Sequence, residues 1–173
     1  MVETATNRHF VVMGVAGSGK STVGEMLADR LGYPLIEGDA YHPEDNIAKM
    51  SAGIPLDDAD RRPWLEPLGR LMRDSDGPVV ITCSALKRRY RDILREVSGA
   101  EVVFVYLHGE PELLAERMNS RTGHFMPPSL LESQLASLEV PGEGENTIRT
   151  DIGPAPALIV DDIVSKLKDR IRP

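Results

Sequence analysis

Cysteine, excess positive charge and long apolar runs are what this sequence lacks. Its one cysteine, Cys83, cannot form a disulfide within the chain, which fits a reducing compartment such as the cytosol. We expect Cys83 to be a small buried residue at a strand end. No apolar run approaches the roughly 20 residues that span a bilayer, and residues 1–7 are polar, unlike a signal peptide. These absences predict a cytoplasmic protein with no membrane partner.

The charge balance is acidic. The chain has 20 Lys and Arg residues against 27 Asp and Glu residues, for a formal net charge of −7 at pH 7. A general nucleic-acid binder needs a dominant positive field, so we expect no nucleic-acid partner. Local clusters of basic residues could still bind small anionic ligands. The length of 173 residues, 41% of them hydrophobic, favours one compact domain, 1–173.

A glycine-rich stretch is the most informative motif present. Residues 14–21 match the P-loop pattern G-x-x-x-x-G-K-[ST], whose backbone N–H groups surround phosphate oxygens at a helix N-terminus. In this pattern the lysine reaches the β- and γ-phosphates, and the final hydroxyl can bind Mg²⁺. The residues that we expect to bind the nucleotide here are Gly14, Val15, Ala16, Gly17, Ser18, Gly19, Lys20, Ser21 and Thr22.

Two other nucleotide-site motifs are missing or misplaced. No Asn-Lys-x-Asp stretch for guanine recognition occurs. Leu158-Ile-Val-Asp161 resembles a Walker B strand, but the apolar residues around it recur at helical spacing, so we interpret Asp161 as a helix residue. Magnesium binding would then depend on Ser21 and on an acid near the second strand.

Strand and helix patterns alternate along the chain. Strands are predicted at 9–13, 33–37, 79–83, 102–107 and 146–151, and helices at 22–31, 43–50, 63–72, 85–98, 111–119, 130–138 and 154–171. This alternation predicts an α/β fold, a parallel sheet with helices on both faces. Residues 120–128 are polar and rich in glycine and proline, which favours a mobile flap within a lid at about 117–140.

Asp39 is the first candidate for acceptor chemistry. It follows the second strand at the sheet edge where ligands of open α/β sheets bind, so it could bind magnesium or accept a substrate hydroxyl proton. The alternative is a carboxylate that merely caps a helix or turn. We expect Glu37, two residues earlier, to face away from Asp39, with a water-mediated magnesium role left open.

Four basic residues are further candidates. Arg117 and Arg121, at i and i+4, could supply lid arginines for the transferring phosphoryl group, or could be solvated surface residues. Arg61 offers a bidentate fork for a carboxylate. Lys87 could serve that carboxylate or the phosphate, or could belong to a solvated row on one helix with Arg91 and Arg95.

Longer motifs carry a resemblance to a family. They are Glu37-Gly-Asp39-x-x-His42-Pro43, Gly53-x-Pro55-Leu56-x-Asp58-x-Asp60-Arg61-x-x-Trp64-Leu65, Cys83-Ser-Ala-Leu-Lys87-x-x-Tyr90-Arg91, Gly123-His-Phe-Met126, and Ser133-Gln134 with Leu138-Glu139-x-Pro141. Together they resemble the P-loop gluconokinases over nearly the whole chain. In this chain, Glu37 stands where many of those enzymes have aspartate.

The resemblance implies a fold and a reaction. The fold is a three-layer, shikimate-kinase-like P-loop fold with five parallel strands in the order 2-3-1-4-5 and a lid, usually as a homodimer. The reaction is phosphorylation of D-gluconate at its 6-hydroxyl, with ATP and Mg²⁺, for the pentose phosphate or Entner–Doudoroff route. Shikimate or a nucleoside monophosphate is the alternative acceptor, and a nucleotide-dependent switch protein is the alternative class.

The resemblance also implies residue roles. By that similarity Asp39 faces the substrate hydroxyl. From the P-loop pattern and the lid, we expect Lys20 and Arg121 to act with it in catalysis. The residues implied at or near the sugar-acid pocket are Arg61, Ser84, Ala85, Lys87, His42 and Lys49. For His124, packing within the lid and contact with substrate are both open.

Overall fold

The computed structural model describes residues 8–120 and 128–171. The strands in these ranges are β1 (Arg8–Met13), β2 (Leu35–Glu37), β3 (Val80–Thr82), β4 (Glu101–His108) and β5 (Thr147–Asp151). The helices are α1 (Lys20–Leu31), α2 (Glu44–Ser51), α3 (Asp58–Asp74), α4 (Arg88–Ser98), α5 (Pro111–Asn119), α6 (Pro128–Ser137) and α7 (Pro156–Ile171), with a 3₁₀ helix at Gly38–Tyr41.

The five strands form one parallel sheet in the order β2-β3-β1-β4-β5. This confirms the expected strand order. The order reverses direction beside β1, so the loop after β1 opens at the point where ligands of open α/β sheets bind.

The core lies on both faces of the sheet, as alternation along β1 shows. Phe10 and Val12 pack with residues of α1 and α7, such as Leu27. Val11 and Met13 pack on the other face with residues of α3 and α4, such as Trp64. Helices cover both faces of a central parallel strand, so the side chains of residues 10–13 on both sides of β1 are apolar rather than alternately apolar and polar.

Helix α3 differs from the sequence prediction. We expected an irregular segment up to Pro63, whereas the helix begins at Asp58 and contains both Pro63 and Pro67. A capping box starts it early: the Asp57 carboxylate accepts from the Asp60 N–H, and the Asp60 carboxylate accepts from the Asp57 N–H. Pro67 therefore lies in the interior of the helix. Burial of the apolar face of α3 offsets the donors that the prolines remove.

Helix α4 also differs, because it begins at Arg88 rather than at residue 85. Ala85 has a left-handed backbone with φ of 44°, which no helix residue adopts. By contrast, α5 has the predicted bounds, and Asp161 lies in α7, where it pairs with Arg30 on the surface. The helical interpretation of the apparent Walker B motif is confirmed.

Candidate active site

The carboxyl ends of three adjacent strands meet beside the P-loop. In the sheet register Glu37 lies next to Thr82, and Thr82 lies next to Val12. Gly38 follows Glu37 so close to β3 that a Cβ there would lie 2.1 Å from the Thr82 carbonyl oxygen, so only glycine fits. The Gly14 N–H donates to the Ser84 carbonyl at 3.3 Å, which ties the loop after β1 to the loop after β3.

The P-loop has the backbone of a phosphate cradle. Gly19 has a φ of 87° with no atom near a would-be Cβ, so conformation alone requires glycine there, immediately before α1. The Lys20 Nζ donates to the carbonyls of Gly14 and Val15, at 3.0 and 3.2 Å, and so arches back over the loop. The hydroxyl of Ser18 is buried and has no hydrogen-bond partner within residues 8–120 and 128–171.

Glu37, Ser21 and Thr82 form the candidate magnesium site. The Ser21 hydroxyl donates to Glu37 Oε2 at 3.2 Å, and the Thr82 hydroxyl donates to the same oxygen. Glu37 is thus the carboxylate beside the P-loop hydroxyl, and Thr82 is a site residue that sequence reasoning missed. Among the described residues, no group of three or more His, Cys, Asp or Glu side chains could hold a metal ion. One carboxylate with one hydroxyl still suits Mg²⁺, which keeps several waters and uses phosphate oxygens as ligands.

Asp39 lies in the 3₁₀ helix, with its side chain 81% exposed. His42 Nε2 is 3.7 Å from Asp39 Oδ1, and the His42 ring stacks on Trp64 with centroids 4.0 Å apart. Trp64 is buried in the core, and its indole N–H donates to the Gly38 carbonyl. Lys49 is held by an ion pair with Asp60, at 2.8 Å, so the pocket-lining role implied for it competes with this contact.

Two of the basic candidates flank one aromatic ring. The Arg61 guanidinium lies 5.1 Å from the Tyr90 ring centroid and Lys87 Nζ lies 5.8 Å from it. Arg61 Nη1 donates to the Tyr90 hydroxyl at 3.1 Å and to the Leu56 carbonyl. Asp58 accepts from Tyr90, Arg89 and Lys87, and these hydrogen bonds lower the pKa of Asp58 to about 2. The cations Arg61, Lys87 and Arg89 therefore outnumber the one carboxylate of the cluster, Asp58.

The pKa of Tyr90 also depends on this cluster. Burial and the hydrogen bond to Asp58 raise the pKa of Tyr90 to about 12, so it stays a neutral hydroxyl between the cations.

The nearby Cys83 thiol is fully buried, and burial raises its pKa to about 12. Its expected role as a small buried residue at a strand end is confirmed. Asp39, Lys20 and Arg61 all act electrostatically on this thiol.

The proposed solvated row is wrong for Arg91. Arg91 is fully buried, and its Nε pairs with Glu145 Oε1 at 2.9 Å. Its Nη1 donates to the carbonyls of Ala85 and Leu86, at 2.9 and 3.1 Å. The Lys87 side chain is 32% exposed and pairs with Asp58 at 3.3 Å. Arg91 thus supports the strained Ala85 between the candidate residues Ser84 and Lys87, a role that sequence spacing did not reveal.

The lid candidates are only partly within the described residues. Arg117 Nη2 donates to the Ile152 carbonyl at 2.6 Å, so it bridges α5 and the loop after β5. The Ala16 N–H of the P-loop donates to Gln134 Oε1 of α6 at 2.7 Å, a contact that we did not predict. Arg121 and His124 lie outside the described residues.

Comparison with known proteins shows which sequences and structures this chain resembles. The family model described as Shikimate kinase matches residues 16–146. A gluconokinase of Gluconobacter oxydans is 48% identical over 160 residues, which cover 91% of this chain and 89% of that relative. The crystal structure of a gluconokinase from Sinorhizobium meliloti is 53% identical and superposes with a TM-score of 0.87, covering 94% of this chain and 93% of that one. The chain belongs to the gluconokinase family.

The family assignment agrees with a wider similarity of fold. The shikimate kinase structure from Aquifex aeolicus has a TM-score of 0.55 at 17% identity and covers 94% of this chain and 98% of that one, which shows a shared fold alone. Within the part of the chain that the structure describes, no helix is both long and apolar enough for a membrane span.

Proposed function

We propose that this protein transfers the γ-phosphoryl group of ATP to the 6-hydroxyl of D-gluconate, giving 6-phospho-D-gluconate and ADP. The observation that carries the proposal is that Arg61 and Lys87 both contact Tyr90, and that Lys87 lies three residues after Ser84, whose carbonyl accepts from the Gly14 N–H of the P-loop. Membership of the gluconokinase family supports it.

The donor half of the site, which would bind ATP, consists mainly of residues that are neighbours in the sequence. The amides of residues 14–22 and the start of α1 would hold the phosphates of ATP, and Lys20 would turn from its loop carbonyls toward the β- and γ-phosphates. The buried Ser18 hydroxyl would gain a partner in a phosphate oxygen. Arg117 and Arg121 would add positive charge from the lid, at about 117–140 of a single domain spanning 1–173.

Ser21 and Glu37 would hold Mg²⁺, with Glu37 acting directly or through a water molecule. When bound, the ion would neutralise charge on the β- and γ-phosphate oxygens. Thr82 would keep the Glu37 carboxylate in place through its hydrogen bond.

The acceptor half recognises a polyhydroxy acid. The Arg61 Nη1 is engaged by Leu56 and Tyr90, and Nη2 and Nε have no hydrogen bond within residues 8–120 and 128–171, so they are available for a carboxylate. Lys87 would give a second charge-assisted hydrogen bond. Ser84, Ala85, His42, Lys49 and, in the lid, His124 would complete the pocket around the hydroxyls.

The transfer itself is an in-line displacement. The 6-hydroxyl oxygen forms the new bond to the γ-phosphorus while the bond from that phosphorus to the β–γ bridging oxygen breaks, and ADP leaves. The proton of the hydroxyl passes to Asp39, whose carboxylate is exposed.

A coupled assay of ADP release tests the proposal. We expect ADP release that depends on gluconate and far exceeds that with shikimate or nucleoside monophosphates. No gluconate-dependent release would refute the proposal, and preference for one of the other acceptors would replace the substrate. Slow turnover unaffected by any acceptor would favour a nucleotide-dependent switch.

Three further proposals concern the assembly, the location and the pathway of the enzyme. We propose a homodimer, which light scattering would test, and a cytoplasmic enzyme whose product enters the pentose phosphate or Entner–Doudoroff route. The net charge of −7 supports the absence of nucleic-acid and anionic-membrane partners.

A further inference from the structure

A buried amide lies behind the candidate residue Asp39. The Asn46 side chain projects from α2, and the residue is only 2% exposed. Its Nδ2 lies 2.9 Å from the Asp60 carbonyl oxygen in α3 and 3.3 Å from His42 Nδ1. Asn46 therefore joins the second helix, the third helix and the loop that carries His42.

These two contacts determine where the His42 proton lies. The Asp60 carbonyl can only accept, so the Asn46 group that faces it must be the amide nitrogen. That nitrogen is then the group facing His42 Nδ1 as well, and it has a second N–H to donate. His42 Nδ1 accepts this hydrogen bond with its lone pair, so the proton of the neutral ring lies on Nε2.

The ring is kept neutral and aimed at Asp39. Burial lowers the pKa of His42, the Asp39 carboxylate partly opposes this, and Arg61 adds to the lowering. The 3₁₀ turn places Asp39 and His42 three residues apart on one side, with the His42 backbone N–H bonded to the Asp39 carbonyl. His42 Nε2 is then 3.7 Å from Asp39 Oδ1, and the exposed carboxylate can close that gap by side-chain rotation.

We propose that Asn46 and His42 are positioning residues for Asp39: Asn46 selects the Nε2–H tautomer of His42, and that N–H orients the Asp39 carboxylate toward the acceptor hydroxyl. The role of Asp39 rests on the proposed function, whereas the tautomer does not. Stacking of His42 on Trp64 holds the ring plane, so the tautomer is the variable that Asn46 controls.

Nitrogen NMR of the ¹⁵N-histidine-labelled protein tests the tautomer without any substrate. His42→Gln identifies the His42 signals by their loss. At pH 7.5 we expect a one-bond proton coupling on Nε2 and none on Nδ1, and we expect Asn46→Ala to give a mixture of tautomers. A predominant Nδ1–H form in the wild-type protein would overturn the proposal, as would a spectrum that Asn46→Ala leaves unchanged.

Kinetics of a matched pair of variants test the positioning. A glutamine amide can place its N–H near the position of Nε2, whereas the shorter asparagine reaches only the position of Nδ1. We expect His42→Asn to lower kcat by roughly 10- to 100-fold, the equivalent of one hydrogen bond to a charged group, with little change in the KM for ATP. We expect His42→Gln to retain about tenfold more of the wild-type kcat than His42→Asn.

The outcomes separate the two proposals. A wild-type protein without gluconate-dependent ADP release would refute the proposed function while the tautomer is still decided by NMR. Normal wild-type turnover together with an unchanged kcat for His42→Asn would overturn the positioning role alone. Equal losses in both His42 variants, with folding intact by circular dichroism, would also overturn it, because they would mean that the N–H at Nε2 is not what matters.

Discussion

Replacing Glu145 by glutamine provides a demanding test of the structure. Glu145 is 3% exposed, accepts two hydrogen bonds from the buried Arg91, and accepts from the Gly142 N–H at 2.8 Å. The variant Glu145→Gln keeps the shape of the side chain but leaves the Arg91 charge buried without its counterion. Breaking a buried pair by removing one partner costs about 3–5 kcal/mol of the free energy of unfolding.

The pKa of Glu145 gives a second route to this magnitude. Burial alone would raise this pKa, but the hydrogen bonds from Arg91 and Gly142 outweigh it and lower the pKa from 4.5 to about 2. A difference of this size corresponds to about 3 kcal/mol, at about 1.4 kcal/mol for each pH unit. Because the folded-state pKa is the lower one, this stability is fully present above pH 4.5 and is lost as the pH falls toward 2.

Urea unfolding, followed by fluorescence of the single buried Trp64, measures the effect. At pH 7 we expect Glu145→Gln to lose about 3–5 kcal/mol, or roughly 6–20 °C in Tm for a domain of this size. The loss relative to wild type should shrink between pH 4.5 and 2. As a matched control, Arg30→Ala breaks a surface pair whose side chains are 51% and 54% exposed, and it should cost at most about 1 kcal/mol.

The double variant Arg91→Met/Glu145→Met separates the charge from the packing. Replacing both partners by apolar residues should recover part of the loss, because no buried charge is left alone although the carbonyls of Ala85, Leu86 and Glu139 lose their donor. A cost below about 1 kcal/mol for Glu145→Gln at pH 7, similar to the Arg30→Ala control, would refute the argument that the pair is buried and tightly coupled.

Four further substitutions test the site and the fold. Asp39→Asn should lower kcat by about 10²–10⁴-fold in the ADP-release assay, and a near-normal kcat would exclude the proton-accepting role. Arg61→Ala should raise the KM for gluconate about 10- to 100-fold, whereas an effect on kcat alone would assign Arg61 to the phosphates. Glu37→Gln should raise the Mg²⁺ concentration for half-maximal activity roughly tenfold in a magnesium titration, and no change would exclude it from the ion. Asp57→Ala should cost about 1 kcal/mol in urea unfolding, and an unchanged midpoint would contradict the capping box.

Local features of the fold were predictable because their causes are local. The P-loop was recognisable since it depends on glycine conformations and a helix N-terminus within eight consecutive residues. Helix α5 was predicted with its bounds because a proline opens it and its apolar spacing is regular. The strand order came from the resemblance to a family, since alternation of strands and helices indicates a parallel sheet without ordering it.

The start of α4 was not predictable in the same way. The apolar spacing from Leu86 onward fits a helix, but the Arg91 guanidinium binds the carbonyls of residues 85 and 86 and keeps them out of the helix. Basic residues at i, i+4 and i+8 usually mark a solvated face. Here the face is buried at Arg91 because Glu145, 54 residues away in sequence, supplies the counter-charge. No local pattern can reveal a partner at that distance.

The difference between local and long-range contacts also explains why the acceptor half of the candidate site has a weaker sequence signature than the donor half. The donor half uses backbone amides, so its sequence signature is contiguous. In the acceptor half, Asp58 begins α3 and Lys87 and Tyr90 lie at the start of α4, so each residue's charge depends on a contact made between elements. Asp58 could equally have been a simple cap from its sequence position. From the sequence alone, Asp39, Arg61 and Lys87 were therefore separate candidates, and only the family resemblance grouped them into one pocket.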